Sequence, residues 1–157
     1  MHPFRCVPIP TETAGRFRRT GRDDRNNTLR RSVADGPGFP CRHCLRPAAM
    51  GEAVLLGSYD LPAPLGIYWT PSPIFLHAAE CPAFDAADTL APIVQANALV
   101  SIRAYDGEDQ CLYGLGQVCP GEDALSPLQR ALADPRTAFV NLHTARPGCL
   151  LCRVERG

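Results

Sequence analysis

Apolar and polar residues alternate along several short stretches of this chain, which is the pattern of half-buried β-strands. The clearest stretch is 97–105, in which every second side chain from residue 100 onward is apolar. Residues 106–109 have the composition of a turn, and 111–118 is predicted to return beside the first strand. This part of the chain therefore predicts a β-hairpin.

Further strands are predicted before and after this hairpin. Phe4 to Pro10 is bounded by prolines, which place it at the edge of any sheet because proline cannot donate to a ladder. A strand at 52–59 and one interrupted by prolines across 67–77 follow. Residues 137–143 and 149–155 form a last pair, joined by a loop short enough for a hairpin.

Two short helices complete the predicted elements. Residues 85–97 place Leu90, Ile93 and Val94 on one face, and Ser126-Pro127 is a typical helix start before a stop at Asp134-Pro135. Residues 11–38 are polar and Arg-rich and are predicted to be mainly loop.

These elements lack the alternation of strands and helices that builds a parallel sheet. The sequence therefore predicts an α+β fold with a largely antiparallel sheet and one or two short helices. A chain of 157 residues has the length of one domain, so we expect a single domain over residues 1–157.

Composition adds an expectation about the compartment. No apolar stretch approaches the roughly 20 residues of a membrane span, and no secretory signal is apparent, so no membrane partner is expected. Eight cysteines are too few for a disulfide scaffold of this length. We therefore expect a cytoplasmic protein whose cysteines are thiols or metal ligands.

Charge is unevenly distributed although the net charge is zero. All 16 basic residues are arginine, and residues 1–46 hold ten of them against four acidic residues. Such a segment could contact an acidic protein partner. Asp23 and Asp24 interrupt the run and no aromatic residues are interleaved with it, which argues against nucleic acid as the partner.

Two Cys-x-x-Cys pairs are the first candidate chemistry. Cys41 with Cys44 and Cys149 with Cys152 supply four thiolates, the number that binds one tetrahedral zinc ion. A strand at 149–155, however, turns Cys149 and Cys152 to opposite faces, since side chains alternate along a strand. Cys152 is then predicted to be a small core residue.

The last predicted hairpin supplies a second candidate. His143 and Cys149 flank its loop, where opposed side chains come close enough to meet. An imidazole beside a thiol can remove its proton to make a nucleophile, or both groups can bind a metal. Asn141 would share the face of His143 and could orient the ring. A hydrogen-bonded structural histidine is the alternative.

Two weaker candidates remain. His77 and Cys81 follow a predicted strand and could join His143 and Cys149 in a mixed Cys/His metal site. Arg103 lies on the polar face of the predicted hairpin beside Tyr105 and could bind an anion, although pairing with a surface acid is the alternative.

Five segments together are similar to a known family. They are residues 33–42, 51–56, 73–77, 101–106 and 143–149, and they resemble a bacterial family with a domain of unknown function, number 1203. The resemblance implies a single-domain, cytoplasmic bacterial protein with no assigned activity. It also implies a shared site containing Cys41, Arg42, His77, Arg103, Tyr105, His143 and Cys149, with Cys44 and Cys152 outside it.

Three hypotheses follow for the function. The first is a small-ligand- or metal-binding domain, with zinc as one cofactor that would fit. The second is a cysteine-dependent enzyme in which Cys149 is the nucleophile, His143 its base and Arg103 an anion clamp. The third is a protein-interaction module that uses the Arg-rich N-terminal segment. The ligand-binding candidates are Arg42, Arg103 and Tyr105, and the metal-binding candidates are Cys41, His77, Cys81, His143 and Cys149.

Overall fold

Eight strands and three helices make up the protein in its computed structural model, which describes all of residues 1–157. Short 3-10 turns lie at Gly66–Tyr68, Tyr113–Leu115 and Gly121–Asp123. The helices are α1 (Thr11–Thr20), α2 (Pro92–Gln95) and α3 (Leu125–Ala133). The strands are β1 (Phe4–Val7), β2 (Arg30–Val33), β3 (Ala53–Asp60), β4 (Pro71–His77), β5 (Val100–Tyr105), β6 (Gln117–Cys119), β7 (Phe139–Thr144) and β8 (Leu150–Arg156).

The strands form two antiparallel sheets. One has five strands in the order β1-β8-β7-β5-β6, and the other has three in the order β2-β3-β4. The predicted single α+β domain with antiparallel sheets is therefore confirmed. β5 pairs with β6 and β7 with β8 as predicted, although the return strand predicted across 111–118 is limited to Gln117–Cys119. β1 lies at a sheet edge, as its prolines predicted.

One face of the five-stranded sheet carries the larger hydrophobic core. Ile102 of β5 and Leu142 of β7 lie opposite each other and are fully buried, as strand alternation predicts. Leu128 and Leu132 of α3 pack into the same core. Burial of such side chains contributes roughly 1.5–3 kcal/mol each, so this core is a main source of stability.

A second core lies between the three-stranded sheet, α1 and the start of β8. Ile74 and Leu76 of β4 are buried here together with Leu150 of β8 and Phe17 of α1. The backbone N–H of Leu150 donates to Oγ of Ser72 on β4, which fixes the position of β8 beside that strand. Cys41 and Cys44 belong to this core, so it supports the candidate site.

Helix α1 lies within the segment that was predicted to be mainly loop. Only Ala14 and Phe17 are buried along it, and their spacing of three residues puts both on one face. The rest of the helix is polar residues, three of them arginine, and one glycine, so its apolar stripe was too narrow to be recognised in the sequence. The helix ends at Gly21, whose left-handed backbone (φ 65°) lets its N–H donate to the carbonyl of Phe17.

The helix predicted across 85–97 is reduced to the four residues of α2. Pro92 begins it, since proline has no N–H to donate and disfavours a helix before it. The preceding residues instead lie beside β1, where Asp88 donates its backbone N–H to the carbonyl of Phe4. No helix of the protein has the length and apolar composition of a membrane span.

Candidate metal centre

The Cys41-Arg42-His43-Cys44 motif forms a tight turn at the end of a narrow ribbon. The N–H of Cys41 donates to the carbonyl of Arg46 at 3.0 Å, and the N–H of Ala48 donates to Phe39 at 2.9 Å. Leu45, directly after the motif, has a left-handed backbone with φ 53° and is fully buried. We call residues 40–47 the knuckle, because this turn presents both cysteines together.

The knuckle is held against the end of β4 by backbone contacts. The N–H of Arg42 donates to the carbonyl of Phe75 at 3.0 Å, and Cys41 pairs with Phe75 as a short parallel bridge. The N–H of His77 points at Sγ of Cys41 at 3.4 Å. His77, the last residue of β4, and Cys81 just beyond it therefore lie beside the two knuckle cysteines.

The side chains of Cys41, Cys44, His77 and Cys81 form one group. Their ligand atoms all lie within 4.8 Å of one another. Sγ of Cys41 is 3.9 Å from Sγ of Cys81, and Sγ of Cys44 is 3.4 Å from Nδ1 of His77. Sulfurs bound to one tetrahedral zinc at about 2.3 Å would be about 3.8 Å apart. The group therefore has the size and the donor types of a Cys3His metal centre.

Polar side chains outside the group contact two of its four members, His77 and Cys81. Nε2 of His77 lies 2.8 Å from Oε2 of Glu52, so the ring can donate to this carboxylate while Nδ1 faces Cys44. Sγ of Cys81 is 3.3 Å from Nη2 of Arg18 and 3.4 Å from Nδ1 of His43. The Glu52 carboxylate favours an unprotonated Nδ1 on His77, and the Arg18 guanidinium favours a thiolate at Cys81.

The two knuckle thiols differ in acidity because they share a hydrogen bond. The contact with the Cys44 thiol lowers the pKa of Cys41 well below its usual value, and the backbone N–H groups of Cys44, His77 and His43 act in the same direction. The pKa of Cys44 is raised by the same hydrogen bond and by burial. Burial, followed by the charge of Cys41, raises the pKa of Cys81. The group thus holds one thiolate readily, and a second or third needs a bound cation.

A comparison with protein-family models gives one match to this chain. The model of "Protein of unknown function (DUF1203)" matches residues 38–156. The chain belongs to the DUF1203 family. Neither the curated proteins nor the solved structures include a match. The DUF1203 region contains all four residues of the group, whereas α1 and β2 precede it.

Within the DUF1203 region, His143 and Cys149 are not part of the group formed by Cys41, Cys44, His77 and Cys81. A register shift between Leu142 and His143 pairs His143 with Leu150 rather than with Cys149. Nδ1 of His143 lies 2.9 Å from the carbonyl of Gly148, to which it donates, and no hydrogen bond joins the ring to the Cys149 thiol. The backbone N–H of Cys149 donates to Oγ1 of Thr144.

His143 is held neutral by its surroundings. The side chain is 3% exposed, and its Nε2 has no hydrogen-bond partner. Burial, then the positive charges of Arg103 and Arg42, lower its pKa to about 4. Asn141 does not orient the ring, because its amide donates to the carbonyl of Ala63.

Cys152, Arg103 and Tyr105, which the sequence analysis also considered, lie outside the group of four side chains. Cys152 is in the larger core, as strand alternation predicted, and there a hydrogen bond with Cys6 and burial raise its pKa. Nε of Arg103 donates to Oγ of Ser101, and Tyr105 stacks on Phe139 with ring centres 5.1 Å apart.

Arg42 is a buried residue of the knuckle. Its Nε donates to the carbonyl of Leu150 and its Nη1 to that of Pro40, both at 2.6 Å. Burial lowers its pKa to about 10, and the thiols of Cys149 and Cys41 oppose that shift.

Three side chains that contact the group were not singled out by the sequence analysis, and Cys44 was considered a less likely metal ligand than Cys41 in spite of its Cys-x-x-Cys spacing. Glu52, His43 and Arg18 had no such pattern, because they reach the group from a strand end, the knuckle and α1. Arg18 in particular lies in the Arg-rich run and donates Nε to the carbonyl of His77 as well as Nη2 to Cys81.

Proposed function

We propose that this protein is a zinc-binding domain in which Cys41, Cys44, His77 and Cys81 hold one Zn²⁺. The observation that carries this proposal is the convergence of the four ligand atoms within 4.8 Å of one another. Three sulfurs and one imidazole nitrogen are a usual donor set for structural zinc, and soft thiolates disfavour Mg²⁺ and Ca²⁺.

The role that this site supports best is structural. Four protein ligands complete a tetrahedral zinc shell and leave no position for a water or a substrate. Cys41 and Cys44 are buried, and the ion would join the knuckle to the end of β4. These two segments are separated by more than 30 residues of chain, so the metal closes a long loop and should stabilise the second core.

Charge around the site is consistent with three thiolates. A zinc ion with three thiolates and a neutral imidazole has a net charge of about −1. Arg18 donates to Cys81, and the backbone N–H of His77 points at Cys41. The N-terminal segment therefore contributes to the site through α1 as well as to the surface.

Metal analysis of the untagged protein tests the proposal. We expect close to one zinc per chain in the wild type and a large loss in Cys44→Ser and Cys81→Ser. Cys111→Ser and Cys149→Ser are matched controls, since both thiols are partly exposed and lie outside the group. Absence of zinc from the folded wild type, or full zinc in Cys44→Ser, would overturn the proposal.

A further inference from the structure

A cavity of about 290 Å³ lies beside the knuckle, on the side of the last hairpin loop. Pro40 and Arg42 of the knuckle form one wall, and Thr144, Arg146 and Cys149 form another. No acidic side chain is among the residues that line it, whereas two arginines are. The cavity therefore has a positive lining with no charge of the opposite sign.

Arg42 is the central feature of this cavity. It is 2% exposed and takes part in no ion pair with a carboxylate. Its Nε and Nη1 are engaged with backbone carbonyls, which are neutral acceptors. Nη2 has no acceptor in the protein, and it is not among the fully enclosed polar atoms that lack a partner. Since Arg42 lines the cavity, the N–H groups of Nη2 remain available to a ligand bound there.

The carbonyl contacts also fix the direction of the guanidinium. Both are 2.6 Å long and come from two separate segments, Pro40 before the motif and Leu150 at the start of β8. A guanidinium held in this way loses little conformational freedom when it binds an anion. Arg42 has no carboxylate partner, so an anion placed at Nη2 would gain a charge-assisted hydrogen bond from a largely desolvated guanidinium.

The remaining walls limit the ligand in size and character. Arg146 lies at the exposed rim in no ion pair, and Phe75 and Leu99 give the cavity an apolar side. A volume near 300 Å³ is at the lower end for small-molecule sites, so only a small molecule fits. We propose that this cavity binds a small oxyanionic ligand whose phosphate or carboxylate group is held by Arg42 and Arg146.

Protection of Cys149 from alkylation provides the test, because this thiol lines the cavity and is partly exposed. Iodoacetamide labelling of the zinc-loaded protein is followed by peptide mass spectrometry, with phosphate or benzoate added at matched ionic strength. Cys111 is the internal control, since it is equally partly exposed and lies outside the cavity. We expect phosphate, benzoate or both to slow labelling at Cys149 but not at Cys111. The more effective anion shows whether the cavity prefers a phosphate or a carboxylate group.

Variants separate this site from a general salt effect. Arg146→Gln should weaken the binding of the protecting anion by about tenfold. Arg19→Gln changes an exposed arginine that makes no side-chain hydrogen bond, and it should leave the affinity for the anion unchanged. Arg42→Gln should abolish protection if the variant folds, and Arg146→Gln decides the question if it does not. Equal labelling of Cys149 with and without both anions, or undiminished protection in Arg146→Gln, would overturn the inference. Zinc content is measured on the same samples, so that loss of the metal can be distinguished from failure to bind the anion.

Discussion

Nε2 of His77 lies 2.8 Å from Oε2 of Glu52, while the other ring nitrogen of His77 faces Sγ of Cys44 at 3.4 Å. The imidazole thus lies between a carboxylate and a thiol. A histidine that binds a metal through one nitrogen usually donates from the other to a carboxylate or carbonyl, which fixes the ring and strengthens it as a ligand.

Glu52→Gln should therefore weaken zinc binding without removing a ligand. We expect a loss of affinity of roughly 10-fold or more, because such outer partners are typically worth 10- to 100-fold. Competition with a chromophoric chelator measures it. Glu80→Gln is the matched control, since Glu80 is exposed, neighbours Cys81 and makes no hydrogen bond. Equal affinities for the two variants would show that Glu52 does not act on His77.

Removal of the metal should loosen the knuckle more than the five-stranded sheet. The knuckle amides depend on contacts such as Arg42 to Phe75, whereas β7 is covered by the separate larger core. Hydrogen exchange of the protein before and after chelation should show faster exchange across residues 40–47 and 77–84, with little change across 139–143. Unchanged exchange at the knuckle would contradict a structural role for the metal.

His143 should make the protein less stable in mild acid. Its folded pKa of about 4 lies below the ordinary value of 6.5, so the unfolded chain binds this proton first and stability falls as the pH decreases from 6.5 towards 4. Between pH 7.5 and pH 5 the loss should be roughly 2 kcal/mol.

Urea unfolding of wild type and His143→Gln at both pH values isolates this contribution. Metal release in acid affects both proteins alike, so the difference between them reports His143 alone. The wild type should lose more stability than the variant on going to pH 5. Parallel losses in the two proteins would mean that His143 is not held neutral by burial.

Phe17→Ala should destabilise the protein although it lies in the Arg-rich segment. Phe17 is 1% exposed within the second core, and such a truncation typically costs about 3–5 kcal/mol. Arg19→Ala, on the exposed side of the same helix, should change the free energy of unfolding by less than about 0.5 kcal/mol. A cost below about 1 kcal/mol for Phe17→Ala would contradict the packing of α1 against the sheet.

The sequence predicted the sheets better than the helices, for a physical reason. Strand β5 alternates along most of its length, because Val100, Ile102 and Ala104 on one face pack in the larger core. Helix α1 buries only two side chains, so its period is hidden among arginines. The four-residue α2 cannot show a helical period at all.

The candidate site was predicted in part. Cys41, His77 and Cys81 were named as metal-binding candidates, and the structure brings them together with Cys44. The sequence could not show which segment completes the knuckle pair, because that depends on the docking of Cys41 beside Phe75. The bulge after Leu142 similarly removes Cys149 from the position opposite His143, and alternation alone cannot predict such a bulge.

X-ray absorption at the zinc edge tests the central claim most directly, because it counts the atoms bound to the metal. For the untagged wild type we predict three sulfurs at about 2.3 Å and one nitrogen at about 2.0 Å. In Cys44→Ser reloaded with one equivalent of zinc the sulfur count should fall to two, and in Cys149→Ser it should stay at three. A shell made mainly of nitrogen and oxygen in the wild type, or three sulfurs retained in Cys44→Ser, would contradict a zinc centre formed by Cys41, Cys44, His77 and Cys81.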